Sequence, residues 1–241
     1  MGERLGAGAI EGLTLYGYIN RSGQQDLPGP SFATIEELLI PGVIVVEAAS
    51  HQAVHDHAAD VLAFGVDFMC VSVGALASAE LRARVAVAAA AGGSRLIVPS
   101  GAVGGLDVLR AAAEVGLDEV VIEQSKPPRT LLPELEAAAL AEPRVVFDGT
   151  VQEVVVAYPK TTNVAASVAL AGLGFERTRA VVIADPALSA NRVLLRARGT
   201  FGSLHLQLDN VASANPKTSA IVAHSVVATL RRQVEHLVVP G

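Results

Sequence analysis

Short apolar runs alternate with helix-length segments between residues 43 and 115, and this alternation limits the fold more than any other feature of the chain. The run 43–47 is continuous and predicts a central strand buried on both faces. Similar strands are expected at 68–73 and 95–98, and helices ended by glycine at 51–64, 78–91 and 103–115. Because strands joined through helices run parallel with right-handed crossovers, the pattern predicts a parallel sheet of the α/β class.

The remaining sequence has a different pattern. Residues 13–19 are rich in β-branched and aromatic residues and predict a strand, and 34–39 predict a short helix. In the second half, alternating runs predict a mixed or antiparallel sheet with one covered face. Its strands are expected at 145–149, 180–184, 192–198 and 203–209, its helices at 131–141, 151–158 and 159–171, and a final helix at 216–234, capped by Asn215.

These patterns predict two lobes. Residues 1–110 form the parallel-sheet lobe and 111–214 form an α+β lobe for substrate binding and oligomerisation. We expect the C-terminal segment 215–241 to pack back on the first lobe.

Composition excludes several classes of protein. The chain has 241 residues, is 51% hydrophobic and 17% charged, and carries a net charge of −6, which argues against nucleic acid or an anionic membrane as partner. Cys70 is the single cysteine, so an intrachain disulfide is impossible and a cysteine-based zinc site is not expected. The N-terminus lacks the apolar segment of a signal peptide, and no long apolar span is evident, so we expect a cytoplasmic protein.

Small and polar residues follow three of the predicted parallel strands. These stretches are Ala48-Ala49-Ser50, Ser72-Val73-Gly74-Ala75 and Pro99-Ser100-Gly101-Ala102. Doubly wound sheets bind ligands beyond the carboxyl ends of their strands. The alternative is that all three are ordinary connecting loops, but their recurrence at successive strand ends favours a ligand crevice.

Several strings resemble those of the L-aspartate dehydrogenases. They occur in order and without large gaps: VVEAASHQAVHDHAADVLAFGVDFMCVSVGALA (45–77), VPSGAVGGLDVL (98–109), DGTVQEVVVAYPKTTNVAASVALAG (148–172), ADPALSANRV (184–193) and ANPKTSAIVAHSVVATLRR (214–232). The resemblance implies a Rossmann-like lobe followed by an α+β lobe. It also implies hydride transfer between L-aspartate and NAD or NADP, with iminoaspartate feeding NAD biosynthesis.

The resemblance assigns roles to individual residues. The cofactor-contacting alanine of the family falls on Ala102 and the cofactor-contacting asparagine on Asn163. Small residues would let the backbone approach a nicotinamide ring, and an asparagine can both donate and accept hydrogen bonds. For the cofactor we also expect contacts from Ala48, Ala49, Ser72 and Gly74, and for the substrate from Ser100, Lys160, Asn191, Lys217 and Thr218. A dicarboxylate substrate needs cations and helix N-termini, although a surface position is the alternative for both lysines.

The N-terminal glycines depart from the family pattern. Gly6 and Gly8 begin a G-x-G-A-I-G turn that would hold the cofactor pyrophosphate, but Glu11 stands where the third glycine belongs. Too few residues precede and follow this turn for a whole strand and helix, since a complete βαβ unit needs about 30 residues. We therefore expect the first strand and first helix of the lobe to be missing, and dinucleotide affinity to be weakened.

The tripeptide Asn20-Arg21-Ser22 lies where family members place an acidic residue against the ribose hydroxyls. Replacing a carboxylate by a guanidinium and a hydroxyl favours a 2′-phosphate. The cofactor is therefore expected to be NADP or NAD, with NADP favoured. The alternative is that Arg21 is a solvated loop residue.

The position of the family's acid–base histidine also departs from the family pattern. The family has a histidine two residues after the asparagine of the Asp-Pro…Asn segment, and here Asn191 is followed by Arg192 and Val193. Valine cannot transfer a proton. His51, at the end of the strand 43–47, is a candidate substitute, although a solvent-facing histidine at a helix start is the simpler interpretation.

We therefore expect an NAD(P)-dependent oxidoreductase that acts on the CH–NH2 group of a small amino acid, and the resemblance implies L-aspartate and a homodimer. The alternatives are a catalytically impaired relative that serves as a ligand-binding or oligomerising module, and a dehydrogenase for another small amino acid or imine. No metal is expected.

Overall fold

The computed structural model describes residues 10–20, 29–159, 162–213 and 219–239. The chain divides into two units, one formed by the described residues up to Pro99 with Ala223–Val239, the other by Ser100–Val222. The division lies eleven residues before the expected one at 110, because the helix after Pro99 packs against helix and strand of the second unit.

A three-stranded parallel sheet forms the first unit. Its strands are β1 (Ile44–Glu47), β2 (Asp67–Cys70) and β3 (Leu96–Ile97), in the order β1-β2-β3, which confirms the predicted parallel sheet. Helix α1 (His51–Ala63) connects β1 to β2, and α2 (Ala79–Gly92) connects β2 to β3. The prediction that 43–47 is the central strand is wrong for the described sheet, because β2 lies between its neighbours and is the strand with buried residues along its length.

The core of the first unit includes residues from both ends of the chain. Ile10, Met69, Val226, Val227 and Leu230 form one buried cluster, and the last three of these belong to α7 (Ile221–Arg231). Burial of these apolar side chains is what holds the C-terminal helix to the sheet. No described helix is long and apolar enough to cross a membrane.

Two predictions near the chain ends differ from the structure. The strand expected at 13–19 is wrong, because the described residues 10–20 make only an isolated bridge between Tyr18 and Ser31, while Tyr16 stacks on Phe32. The helix expected at 34–39 is a single 3-10 turn at Glu36–Leu38. The expected cap of the last helix, Asn215, lies outside the described residues.

A five-stranded sheet forms the second unit, and its mixed strand directions agree with the prediction, although its central strand was not expected. Its order is β5-β6-β4-β7-β8, in which β4 and β6 are parallel and all other pairs are antiparallel. The strands are β4 (Leu117–Lys126), β5 (Arg144–Thr150), β6 (Arg179–Ala184), β7 (Arg192–Gly199) and β8 (Gly202–Asp209), and the helices are α3 (Leu106–Val115), α4 (Glu134–Ala139), α5 (Val151–Ala157) and α6 (Asn163–Ala171).

Helices cover one face of this sheet. Helix α3 packs against β7 and α6, and α5 packs against β5 and β6. Since side chains alternate between the faces of a strand, Val120 and Ile122 of β4 lie on the covered face with Leu195 of β7, and all three are buried. The other face carries charged side chains such as Glu119 and Arg198, which are exposed. The sheet therefore has a covered face and an open face, as its alternation predicted.

Candidate active site

Glu47 organises the carboxyl ends of β1 and β2 in the first unit. Its Oε1 accepts hydrogen bonds from the backbone N–H groups of Ala49 at 2.7 Å and Ser50 at 2.9 Å. The hydroxyl of Ser72 donates to the same oxygen at 2.9 Å, and the backbone N–H of Ser72 donates to Oε2 at 2.9 Å. Glu47 is only 6% exposed. One buried carboxylate thus fixes both strand-to-helix loops, because charge-assisted hydrogen bonds are stronger than neutral ones.

This arrangement brings together several residues predicted to contact the cofactor. Ala48 and Ala49 are exposed at the end of β1, whereas Ser72 is buried and bonded to Glu47. Gly74 lies in the buried 3-10 turn Val73–Ala77. Two exposed alanines at a strand end leave room for a flat ring to approach the backbone, so these residues fit a nicotinamide.

Residues close to these carboxyl ends of β1 and β2, which we call the rim of the first sheet, have defined roles. Ser50 caps α1, since its hydroxyl accepts a hydrogen bond from the backbone N–H of Ala53 at 3.2 Å. His51 is the first residue of that helix and is half-buried. Cys70 is fully buried near the rim, and burial, with a smaller contribution from the charge of Glu47, raises the pKa of its thiol. The thiol is therefore protonated and unsuited to nucleophilic chemistry.

The predicted SGA turn belongs to the second unit. Gly101 has φ +67°, a left-handed conformation that favours glycine, and Ala102 after it is buried. The prediction that the helix opens at Val103 is wrong, because Gly105, with φ +73°, caps α3 and the helix begins at Leu106. Ser100 is half-buried.

Asn163 is the first residue of α6, which follows the buried Thr162. Its carbonyl accepts a hydrogen bond from the Ser167 hydroxyl at 3.1 Å, and the residue is half-buried. Asn163 therefore lies at a helix N-terminus, which stabilises a bound anion.

A polar cluster interrupts the apolar covered face of the second sheet at one end. Gln124 pairs with Val193 across β4 and β7, and Lys126 lies two residues beyond Gln124, so the three side chains share the covered face. Gln124 is 3%, Lys126 5% and Val193 2% exposed. We call Gln124, Lys126, Asn191 and Asn210 the polar end of the sheet.

Asn191 and Asn210 extend this polar end across β7 and β8. Leu208 pairs with Val193, and Asn210, two residues further, donates its backbone N–H to the carbonyl of Asn191 at 2.9 Å. The side-chain Nδ2 of Asn210 is buried and finds no hydrogen-bond acceptor among the described residues. A buried donor without an acceptor costs about 1–3 kcal/mol, so this amide is suited to bind an acceptor on a ligand.

Charges on the open face largely neutralise one another. Arg192 forms an ion pair with Asp209 at 2.5 Å, and its hydrogen bond lowers the pKa of that carboxyl. Further pairs join Arg179 to Asp148 at 2.6 Å and Arg196 to Glu123 at 3.4 Å. Of the lysines and arginines in the described residues, Lys126 alone is buried.

Some predicted site residues lie outside the described part of the chain. They are Gly6, Gly8, Arg21, Ser22, Lys160, Lys217 and Thr218, whereas Asn20 is described and half-buried. Within the described ranges, no group of three or more His, Cys, Asp or Glu side chains is placed to hold a metal ion.

Sequence reasoning missed Glu47, Gln124, Lys126 and Asn210. A carboxylate that closes a continuous apolar run is a usable signal for Glu47, because a buried charge needs partners. Lys126 and Asn210 each stand directly at the end of a strand, where small-molecule sites form, but their polar neighbours make the segments look like loops.

Comparison with known proteins agrees with this division into two units. The family model described as “Aspartate dehydrogenase, C-terminal” matches residues 107–233, and that described as “Homoserine dehydrogenase, NAD binding domain” matches residues 3–99. L-aspartate dehydrogenase 2 of Bordetella pertussis is 45% identical over 221 residues, which cover 86% of this chain and 82% of that protein.

More distant relatives are also aspartate dehydrogenases. The L-aspartate dehydrogenase of Methanosarcina acetivorans is 40% identical over 211 residues, which cover 84% of this chain and 78% of that protein. The crystal structure of aspartate dehydrogenase from Thermotoga maritima superposes with a TM-score of 0.82 at 28% identity, covering 99% of this chain and 94% of that one. The chain belongs to the L-aspartate dehydrogenase family.

Proposed function

We propose that the protein is an NAD(P)-dependent oxidoreductase that converts L-aspartate to iminoaspartate. The observation that carries the proposal is the polar end of the second sheet, in a chain whose relatives over most of its length are L-aspartate dehydrogenases. There the buried amine of Lys126 and the buried amide donor of Asn210 share the covered face. An amino acid with two carboxylates suits this pair, because a carboxylate accepts hydrogen bonds from the amide and the substrate nitrogen can exchange a proton with the amine.

Each unit contains residues that suit one part of this reaction. A bound nicotinamide would supply the acceptor for the hydride of the substrate Cα. In the first unit, Glu47 holds the two loops rigid, and the exposed Ala48 and Ala49 allow close approach to the backbone. In the second unit, Asn210 donates to a substrate carboxylate and so orients the Cα–H bond.

Binding and turnover test this proposal separately. Purified protein is titrated with NADH and with NADPH, and nicotinamide fluorescence reports binding. Oxaloacetate and ammonia are then added, and absorbance reports consumption of the reduced cofactor. We expect both binding and consumption. Binding of cofactor without consumption would contradict aspartate as the substrate, and absence of binding would favour the non-catalytic relative.

We infer that NADP is preferred over NAD, on the sequence Asn20-Arg21-Ser22 alone, since Arg21 and Ser22 lie outside the described residues. We expect Arg21→Asp to weaken NADPH binding about 10–100-fold, because a charge-assisted hydrogen bond contributes about 1.5–3 kcal/mol. NADH binding should be retained or improved. Dissociation constants for both cofactors, measured by fluorescence, check this result, and Arg129→Asp, at an exposed position, is the control. Equal losses for both cofactors would contradict the preference. The homodimer, the cytoplasmic location and the link to NAD biosynthesis stay predictions.

A further inference from the structure

A valine occupies the position at which the family pattern has its acid–base histidine. Val193 is 2% exposed and lies on the covered face opposite Gln124. Its side chain cannot give or take a proton, yet oxidation of an amine to an imine requires a proton to leave the nitrogen. Another group must therefore perform this transfer if the proposed function holds.

Lys126 is the titratable side chain that β4 places beside Val193 on the covered face. It lies two residues beyond Gln124, diagonal to Val193 on the same face. Diagonal neighbours in antiparallel strands are about 7–8 Å apart, within reach of a long side chain. On its other side Lys126 pairs with Ala184 of β6, and its carbonyl accepts a hydrogen bond from the backbone N–H of Asp185 at 2.9 Å. The lysine backbone is thus anchored to the Asp-Pro…Asn segment that leads to Val193.

The environment of Lys126 suits proton transfer near neutral pH. Burial lowers the pKa of its ammonium group to about 8, because a low-dielectric surrounding disfavours the charged form. A general base works best when its pKa lies near the operating pH. A surface lysine would remain protonated at that pH and could not accept a proton.

The charged groups of the neighbouring strands and covering helices are paired with one another or exposed at the surface. Arg192 and Asp209 pair with each other on the open face, as do Glu123 and Arg196. Asp185 lies at the end of β6, where its Oδ1 accepts a hydrogen bond from the backbone N–H of Ala187. The titratable residues of the covering helices are exposed at the surface: Asp107, Arg110 and Glu114 on α3 and Glu153 on α5.

We propose that Lys126 exchanges the proton with the substrate nitrogen, in place of the histidine that Val193 replaces. This inference rests on the proposed function. In the oxidative direction the neutral Lys126 amine takes one proton from the substrate ammonium. The nitrogen lone pair then forms the C=N bond as the Cα–H electron pair leaves as hydride to the oxidised nicotinamide. The products are the protonated imine, the reduced cofactor and Lys126 as an ammonium.

The direction of the pH dependence follows from this step. Aspartate oxidation requires neutral Lys126, so kcat/KM, which reports the ionisation of the free enzyme, rises as pH increases through about 8. Reductive amination requires protonated Lys126, so its kcat/KM falls over the same interval. We expect Lys126→Arg to lower kcat about 10²–10⁴-fold in both directions and to remove the pH step, because a guanidinium keeps the charge but does not release its proton at these pH values.

A second measurement observes the lysine without turnover. Lys126, Lys160 and Lys217 are the lysines of the chain, so protein labelled with ¹³C at lysine Cε gives few NMR signals, and Lys126→Arg assigns one of them. We expect the Lys126 signal of the wild type to titrate with a midpoint near 8, equal to the midpoint of the kcat/KM profile, because both report the free enzyme. The titration itself is measured on the wild type, and if Lys126→Arg folds poorly, Lys160→Arg and Lys217→Arg identify the other two signals and leave that of Lys126.

Rescue and control variants complete the test. Val193→His in the Lys126→Arg background should recover kcat at least about tenfold, with a pH midpoint moved towards the ordinary histidine value of about 6.5. Arg129→Met removes an exposed cation three residues away and should leave kcat unchanged. If the wild type oxidises aspartate and Lys126→Arg keeps its kcat and pH profile, the role of Lys126 is overturned and the proposed function stands. A wild type that binds cofactor but turns over no aspartate overturns both.

Discussion

Glu47→Ala should lower the free energy of unfolding of the first unit by about 2–4 kcal/mol. The substitution removes one acceptor group from four donors in two different loops. Water can replace the carboxylate at Ala49, which is exposed, but the N–H and hydroxyl of the buried Ser72 lose their partner. The loss is therefore larger than that of an ordinary surface hydrogen bond.

Urea unfolding followed by circular dichroism measures this effect, and Glu37→Ala is a matched control. Glu37 also accepts two backbone hydrogen bonds, from Ala33 at 2.8 Å and Thr34 at 3.0 Å, but it is exposed. Its replacement should cost less than about 1 kcal/mol because water satisfies the freed donors. If the two variants lose equal stability, Glu47 does not hold the strand ends together.

Asn210→Asp should reduce kcat/KM for aspartate about 10²-fold, with most of the loss in KM. The substitution replaces a buried amide donor by a carboxylate that repels the substrate carboxylate, and like charges in close contact cost several kcal/mol. The backbone hydrogen bond of residue 210 to Asn191 does not depend on the side chain, so the strand end should be preserved.

Steady-state kinetics with varied aspartate measure this effect, and Gln207→Glu supplies the control. Gln207 is exposed on the open face, so the control adds the same charge to β8 on the side away from Asn210. Its KM for aspartate should remain unchanged. A KM for Asn210→Asp within twofold of the wild type would remove Asn210 from the substrate site.

Apolar periodicity predicted most of the fold. The runs that became β1 and β6 are continuously apolar, those that became β7 and β8 alternate, and burial in the structure alternates along β7 and β8. The central strand β4 was not predicted. Its sequence, LDEVVIEQSK, has polar residues on both sides of a three-residue apolar run, so it lacks the pattern of a buried strand.

The same residues explain why the site was only partly predictable. Glu119 and Glu123 of β4 face the open side, whereas Gln124 and Lys126 are buried at the polar end. From sequence alone, a polar residue on an exposed face and one in a site look identical. The predicted strand at 13–19 failed for the opposite reason, since its β-branched and aromatic residues found only local contacts such as the stacking of Tyr16 on Phe32.

The resemblance to a family predicted site residues that apolar periodicity could not predict. It identified Asn191 and the valine at 193, and the structure places both beside Lys126 at one end of a sheet. That position depends on register between strands distant in sequence, which a single sequence does not specify. Lys126 could therefore be identified as the candidate proton donor and acceptor only from the pairing of β4 with β7.

Isotope transfer from substrate to cofactor tests the central claim most directly. The wild type is incubated with NADP⁺ and L-aspartate that carries deuterium at Cα, and the reduced cofactor is analysed by NMR. We predict that deuterium appears at C4 of the nicotinamide ring. Reduced cofactor without deuterium, or bound cofactor that stays oxidised in the presence of aspartate, would contradict the proposal that this protein oxidises L-aspartate by hydride transfer.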